Sequence, residues 1–309
     1  MLTASGCVTV HGEREIIPTA TRAEAAKALE QFTTAYNAAD KAYDPALSSA
    51  RVTGALGAIN QAGLTSRSVN FPRGNAEHIP LKLSDEKFLI PEKAGWPRFF
   101  VVDADSNLDR DQGDADTRWL MLFTRSGPDQ LWRVAYLTIL SPSLIPPVRT
   151  GADGHAEPVA ADAAGLARKP AGLSAAYTSY LETGKPADFA AGPHTSEWRA
   201  VRAAEAVRPG RTKQYLDKPL NSGDFAPLGL RTEDGGALVF FSSRSFERET
   251  AADGVRIQIN PDTRALLKGE VMSSLTKERV SGQVALVPPA GGRTAVLARL
   301  TGLTSAKGS

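Results

Sequence analysis

Trp119-Leu120-Met121-Leu122-Phe123-Thr124-Arg125 is a run of large apolar residues that ends in a hydroxyl and an arginine. Leu238-Val239-Phe240-Phe241-Ser242-Ser243-Arg244 repeats the pattern in the second half of the chain. Short continuous apolar runs of this kind read as buried strands. Further strand-like runs surround the first at 87–90, 98–102 and 132–140, the first phrase itself giving 119–124. Others surround the second at 213–217, 228–232, 271–280, 284–287 and 294–300, with 237–246 containing the phrase. Glu233-Asp234-Gly235-Gly236 and Pro289-Ala290-Gly291-Gly292 place glycine where a hairpin turn needs a positive φ.

Helices come before the strands in both halves. Thr21-Arg22-Ala23-Glu24 is a capping-box pattern. Behind it Leu29, Phe32, Tyr36, Ala39 and Tyr43 step along one helical face until Asp44-Pro45. A second helix is expected over 46–61, with Leu47, Val52, Leu56 and Ile59 inward and Gly63 closing it. In the second half Leu173, Tyr177, Tyr180 and Leu181 make a helical face that Gly184 and Pro186 close. Another helix around 198–207 stops at Pro209-Gly210. Proline, glycine and alanine dominate 142–170, the composition of a connection. The repeated order points to an internal duplication in an α+β fold. A length of 309 residues suits two domains. They are expected at 20–145 and 170–309, with a tether at 1–19, a linker at 146–169 and a tail beyond 303.

With 42% apolar and 23% charged residues the chain has ample material for a core. Lys+Arg of 36 against Asp+Glu of 34 leaves +2, which excludes a nucleic-acid binder working through a strong overall positive field. No apolar run reaches the roughly 18 residues that a spanning helix needs. One cysteine excludes an internal disulfide, a Cys-based zinc site and an iron–sulfur cluster. The four histidines lie far apart. No Gly-x-Ser-x-Gly elbow, Gly-x-Gly-x-x-Gly fingerprint or Walker loop is present.

The lone thiol is informative by its neighbours. Ala4-Ser5-Gly6-Cys7 resembles a bacterial lipobox, where small residues fit a narrow peptidase groove and the thiol forms a thioether to diacylglycerol. Only the end of an apolar signal stretch precedes Cys7, which points to a native start upstream of Met1. Cys7 is therefore the expected lipidation site. Each buried methylene contributes about 0.8 kcal/mol, so a two-chain lipid holds a domain at the bilayer durably. A catalytic cysteine would need an activating histidine, and only His11 is near it in sequence.

The phrase Ala28-Leu29-Glu30-Gln31-Phe32…Ala35-Tyr36-Asn37-Ala38-Ala39-Asp40, followed by strands, resembles the cone-shaped fold of the nuclear-transport-factor-2 (NTF2-like) and ketosteroid-isomerase superfamily, here in tandem. Nearly the whole chain resembles a family of actinobacterial lipoproteins carrying an uncharacterised domain. That resemblance rests on Cys7-Val8-Thr9-Val10-His11-Gly12-Glu13, on Val52-Thr53-Gly54-Ala55-Leu56-Gly57-Ala58-Ile59-Asn60-Gln61-Ala62-Gly63, and on Leu228-Gly229-Leu230-Arg231-Thr232-Glu233-Asp234-Gly235-Gly236-Ala237-Leu238-Val239-Phe240-Phe241. It implies export and anchoring at the outer face of the cytoplasmic membrane. It implies no activity, and no functional residue beyond Cys7.

Three constellations invite a chemical reading. Asp103, Asp105, Asn107, Asp109, Asp111, Asp114 and Asp116 alternate like the oxygen ligands of a calcium loop. Leu108 stands where such a loop needs glycine, Asp114 where it needs glutamate, and Arg110 adds a positive charge, so a solvated loop without metal is expected. Asp40 and Asp103 lie near Tyr36, Tyr43, Trp96 and Phe99 in sequence and could serve as a carboxylate raised by an apolar cone. Asp40 falls off the apolar seam, however, and the aromatics read as core. Arg199, Arg202, Arg208, Arg211 and Lys213, with Trp198, could face anionic lipid or a wall polymer, although Glu197 and Glu205 dilute the run to a solvated helix face. His78 and His194 read as surface residues. The expectation is a lipid-anchored binding or scaffolding module, not a catalyst, without cofactor. Its partner would be an envelope protein or a small apolar ligand. The competing expectation is an enzyme or carrier using a cone pocket, favoured by a buried carboxylate facing an open, aromatic-lined cavity.

Overall fold

The hydroxyl of Thr21 accepts from the Glu24 amide (3.1 Å), and the Glu24 carboxylate accepts from the Thr21 amide (2.8 Å). This closed capping box starts α1, Arg22–Ala42. Just ahead lies β1, Ile17–Pro18. The computed structural model describes residues 15–109 and 116–309. Tyr43, in the left-handed region, ends α1 before Asp44-Pro45. The helix expected over 46–61 is two helices: α2, Ala46–Ser49, and α3, Gly54–Asn70. Gly54 has φ +53°, and a Cβ there would collide with the Asp224 carbonyl oxygen, so the break depends on glycine. Gly63 lies inside α3, which continues past it to bury Leu64.

Strands β2 (Leu83–Leu89), β4 (Arg98–Ser106), β5 (Arg118–Arg125) and β6 (Arg133–Leu140) form an antiparallel sheet in that order. The short β3, Glu92–Lys93, pairs with β1. After α4 (Pro170–Thr183) and α5 (Ser196–Glu205) comes a larger sheet. Its strands are β7 (Val207–Arg208), β8 (Arg211–Leu220), β10 (Ala237–Ala251), β12 (Ser274–Val287) and β13 (Ala295–Gly308). Strand β9, Leu228–Arg231, makes a hairpin with β10 across Gly235, at φ +85°. Past the small α6, Pro261–Ala265, the two residues of β11, Leu267–Lys268, run parallel to β13. The fold is α+β. The runs at 271–280 and 284–287 are one strand, β12, and residues beyond 303 are paired in β13 instead of forming a tail.

Alternation along the two apolar phrases places the core. On β5, Trp119, Met121 and Phe123 face Leu29 and Phe32 of α1, while Leu120 and Leu122 face the other way. On β10, Leu238 and Phe240 meet Leu120 and Leu122, while Ala237, Val239 and Phe241 pack against Leu173 and Tyr177 of α4. The layers therefore run helix, sheet, sheet, helix. Both phrases are continuously apolar because both faces of each strand are covered. Their sheets differ: β5 is third of four in the meander β2-β4-β5-β6, and β10 is third of six in β7-β8-β10-β12-β13-β11.

The middle layer is shared by the two halves. The buried Tyr136 of β6 donates its hydroxyl to the Phe225 carbonyl (3.0 Å). Helix α3 lies against β12 and β13, where Gly302 lets Ile59 approach; a Cβ at Gly302 would stand 2.5 Å from Ile59 Cγ2. The connecting stretch is tied to both sheets: Ala156 donates to Ile90 (3.0 Å), Arg149 to Arg231 (2.9 Å) and Val159 to Gly229 (3.0 Å). Among the described residues no helix is long and apolar enough to cross a membrane.

Candidate functional site

Along β10 the positions facing the second helical layer change character, from Val239 and Phe241 to Ser243, Ser245 and Glu247. Strand β12 changes with it in register. Ala285 pairs with Val239, then Gln283 with Phe241, Ser281 with Ser243, and Arg279 with Ser245. The neighbours supply Asp217 opposite Ser245 on β8, and Arg299 opposite Gln283 on β13. Helix α4 covers the apolar part. Helix α5 brings Trp198 and Arg202 over the polar part, and between them remains a cavity of about 170 Å³. Its apolar walls are Tyr177, Leu181, Trp198 and Tyr215.

The charges in this cavity are unevenly matched. Asp217, 5% exposed, takes both terminal nitrogens of Arg202, one at 3.0 Å. Burial pushes its carboxyl up from the ordinary value and Arg202 pulls it the other way. Glu247 meets Arg279 (3.2 Å), Lys277 (3.4 Å) and Lys213 (3.8 Å). Arg202 lies over the rings of Trp198 (5.1 Å) and Tyr215 (4.9 Å), and Arg299 stacks closer still on Trp198 (4.1 Å). Among the described residues no carboxylate stands within 4.0 Å of Arg299. Burial, with the charge of Arg202 beside it, holds the Arg299 guanidinium below its ordinary pKa. The Tyr177 hydroxyl donates to the His194 carbonyl (2.6 Å), and burial raises its pKa. Trp198 Nε1 and Arg202 Nε are buried without an acceptor.

Most polar groups of the cavity are engaged with one another. Asp217 is a carboxylate buried among aromatics, but both of its oxygens are occupied by Arg202. The Ser243 hydroxyl is bonded to the Gln283 amide (2.7 Å), and the Ser281 hydroxyl to Thr301 (2.8 Å). None of these serines faces a free base.

The space under α1 differs. Phe100 stacks on Phe123 with ring centroids 4.7 Å apart, and Trp132 closes edge-on to Phe100 at 4.8 Å. Toward β13 a cavity of about 380 Å³ opens, walled by Tyr36, Leu56, Ile59, Trp119, Leu137 and Leu300. At its rim Asp262 accepts from Ser66 (2.9 Å) and Asn70 (3.0 Å).

The residues singled out in the sequence are dispersed. Asp103 pairs with Arg118 on the face of β4 that carries Phe99 and Val101, away from α1. Asp40 accepts from Asn75 (3.0 Å), sits 2.8 Å from His78 Nδ1 and 3.7 Å from Arg67, and so fastens the segment after α3 to α1. The carboxylates of Asp105, Asp109 and Asp116 converge, but Asn107 is engaged with Lys82 (2.7 Å) and Pro80 (3.1 Å). Asp111 and Asp114 lie outside the described residues, as do Cys7 and His11. The basic run divides. Arg202 turns into the cavity and Lys213 reaches its Glu247, whereas Arg199 covers Tyr180 (5.3 Å), Arg211 meets Glu249 (3.5 Å) and Arg208 is exposed on β7. His194 is half-buried beside the cavity, not on the surface. Sequence reasoning missed Asp217, Glu247, Arg279, Gln283 and Arg299; polar alternation along the strands was the available signal for the first four, and Arg299 offered none.

Comparison with known proteins adds the following. The family described as a domain of unknown function, DUF8094, matches residues 16–308. The chain is 56% identical to an uncharacterised lipoprotein of Streptomyces coelicolor, over 99% of this chain and 92% of that protein. It is 51% identical to an uncharacterised lipoprotein of Streptomyces avermitilis, again over 99% and 92%. No solved structure matches the chain.

Proposed function

The chain belongs to the DUF8094 family, whose two Streptomyces members above are named lipoproteins, and from that premise we propose an exported binding protein held by a lipid on Cys7 at the outer face of the cytoplasmic membrane. Its units, 20–145 and 170–309 with 146–169 between them, are NTF2-like cones. The first is packed with aromatic rings beneath α1 and opens toward β13, and the second keeps a cavity under α5 that receives a small ligand. The protein binds and does not catalyse. What carries this reading is the cavity under α5, with aromatic walls and with its two carboxylates already paired to cations. A general base must be free to take a proton within hydrogen-bond reach. Neither Asp217 nor Glu247 is.

The test has two arms. Cys7→Ala in the full-length native protein is expected to move it from the membrane fraction to the soluble one; retention at the membrane overturns the anchor. Native mass spectrometry of the purified full chain is expected to show a retained small molecule that Ser245→Phe, intruding on the cavity, displaces. A molecule retained equally in both proteins overturns the assignment of this cavity. A second reading, a small apolar ligand, is favoured by the 380 Å³ space walled by Leu56, Ile59, Trp119 and Leu300. Displacement by Ile59→Trp instead of Ser245→Phe would select it.

A further inference from the structure

Resting on the reading of the cavity under α5 as a ligand site, we infer that its ligand is a small organic anion whose carboxylate is held by Arg299. The charge of the lining comes first. Three arginines, Arg202, Arg279 and Arg299, stand against two carboxylates, Asp217 and Glu247. Arg202 is matched by Asp217, and Arg279 shares Glu247 with Lys277 and Lys213, so among the described residues Arg299 is the arginine of the lining with no carboxylate within 4.0 Å. A cation brought against apolar surface without a counter-ion is costly, and a bound anion relieves that cost.

Hydrogen-bonding capacity points the same way. Arginine offers five donors and no acceptor, in a fork that matches a carboxylate. Arg299 stacks on one face of the Trp198 indole, so its orientation is set by packing while its N–H groups lack a carboxylate. Trp198 Nε1 and Arg202 Nε add two buried donors without acceptors on the same wall. The site is therefore rich in donors and short of acceptors, which a carboxylate supplies. The Tyr177 hydroxyl, which donates to His194, offers Arg299 one neutral acceptor, and the Gln283 amide is bonded to Ser243, so the guanidinium keeps N–H groups for a carboxylate. Tyr177, Leu181 and Tyr215 complete the walls and provide apolar contact for the body of the ligand. A free inorganic anion would leave those walls uncovered.

The experiment is calorimetric titration of the full chain at fixed ionic strength with three probes of one shape: benzoate, benzyl alcohol and benzylammonium. Benzoate is expected to bind once per chain, and both other probes at least about tenfold more weakly, the size of one charge-assisted hydrogen bond. Arg299→Gln is expected to weaken benzoate by about tenfold or more, with Arg299→Lys between it and the unaltered chain. Arg208→Gln, on exposed β7, serves as the control and leaves binding unchanged. Thermal melts of each variant confirm that it folds, and if Arg299→Gln does not, Arg299→Lys decides. Equal affinity for the alcohol or the ammonium, lost in Ser245→Phe, keeps the ligand site and overturns the anion. Benzoate binding that ignores Arg299 also overturns it. If none of the probes binds and the purified protein retains no molecule, the ligand-site reading itself falls.

Discussion

Beneath α1 the first sheet is closed by stacked rings, with Phe100 on Phe123 and Trp132 against them; beneath α5 the second sheet is left open over Asp217, Arg279 and Arg299. Helices precede the sheet in both places, although α6 interrupts the second set of strands, and what separates the two spaces is their inward side chains. Phenylalanine rings carry large area and no polar obligations, and they stack closely. Charged and hydroxyl residues must each find a partner, and the geometry that satisfies them holds the walls apart. A layer can therefore serve as ballast or as a receptacle depending on the inward positions of two or three strands.

The largest blow to that contrast is expected from Phe123→Ala, which empties a fully buried position and costs about 3–5 kcal/mol in denaturant unfolding. A loss below about 1 kcal/mol would mean that the first layer is not the rigid one. Asp217→Ala comes next, at about 3 kcal/mol, because it strands the Arg202 guanidinium. Replacing both partners with Leu and Met should restore most of that stability while removing the polar character of the cavity, a difference readable in the same titration. Gly302→Ala, which drives a methyl into Ile59, should cost about 1–3 kcal/mol, and a double-mutant cycle with Ile59→Ala should recover part of it. The mildest effect concerns pH. Burial, and the charge of Arg299, hold His194 below its ordinary pKa. The unfolded chain then binds more protons, so stability is complete above the ordinary histidine range and declines as pH falls through the folded value. His194→Gln should flatten that limb of a melting-temperature profile, and an unchanged profile would place the titration elsewhere.

Much of the scaffold was legible in the residues. Thr21 and Glu24 announce α1 because their capping chemistry is local, and the two apolar phrases announce central strands because burial on both faces leaves no room for polar residues. The break between α2 and α3 was missed although Thr53 stands just before Gly54, since apolar periodicity runs straight across it. The receptacle was hidden for a related reason. Ser281-Gly282-Gln283 looks like an interruption between two strands, yet β12 continues through it and turns Ser281 and Gln283 toward the cavity. Places where local pattern and fold disagree tend to be functional. Arg299 carries no local signature at all, because its significance lies in what α5, β8, β10 and β12 fail to put beside it.

Strand β1 has a mechanical consequence. Its two residues pair with Lys93 and Glu92, and the next residue, Thr19, donates its hydroxyl to Phe99 (2.7 Å) and its amide to Pro91 (2.9 Å). Tension entering from the chain ahead of Glu15 meets these few bonds before anything else. They open one after another like a zip, whereas the long β10–β12 ladder lies off that line of pull. Pulled from that end, the molecule is expected to give way at β1 first, with the two sheets behind it staying closed.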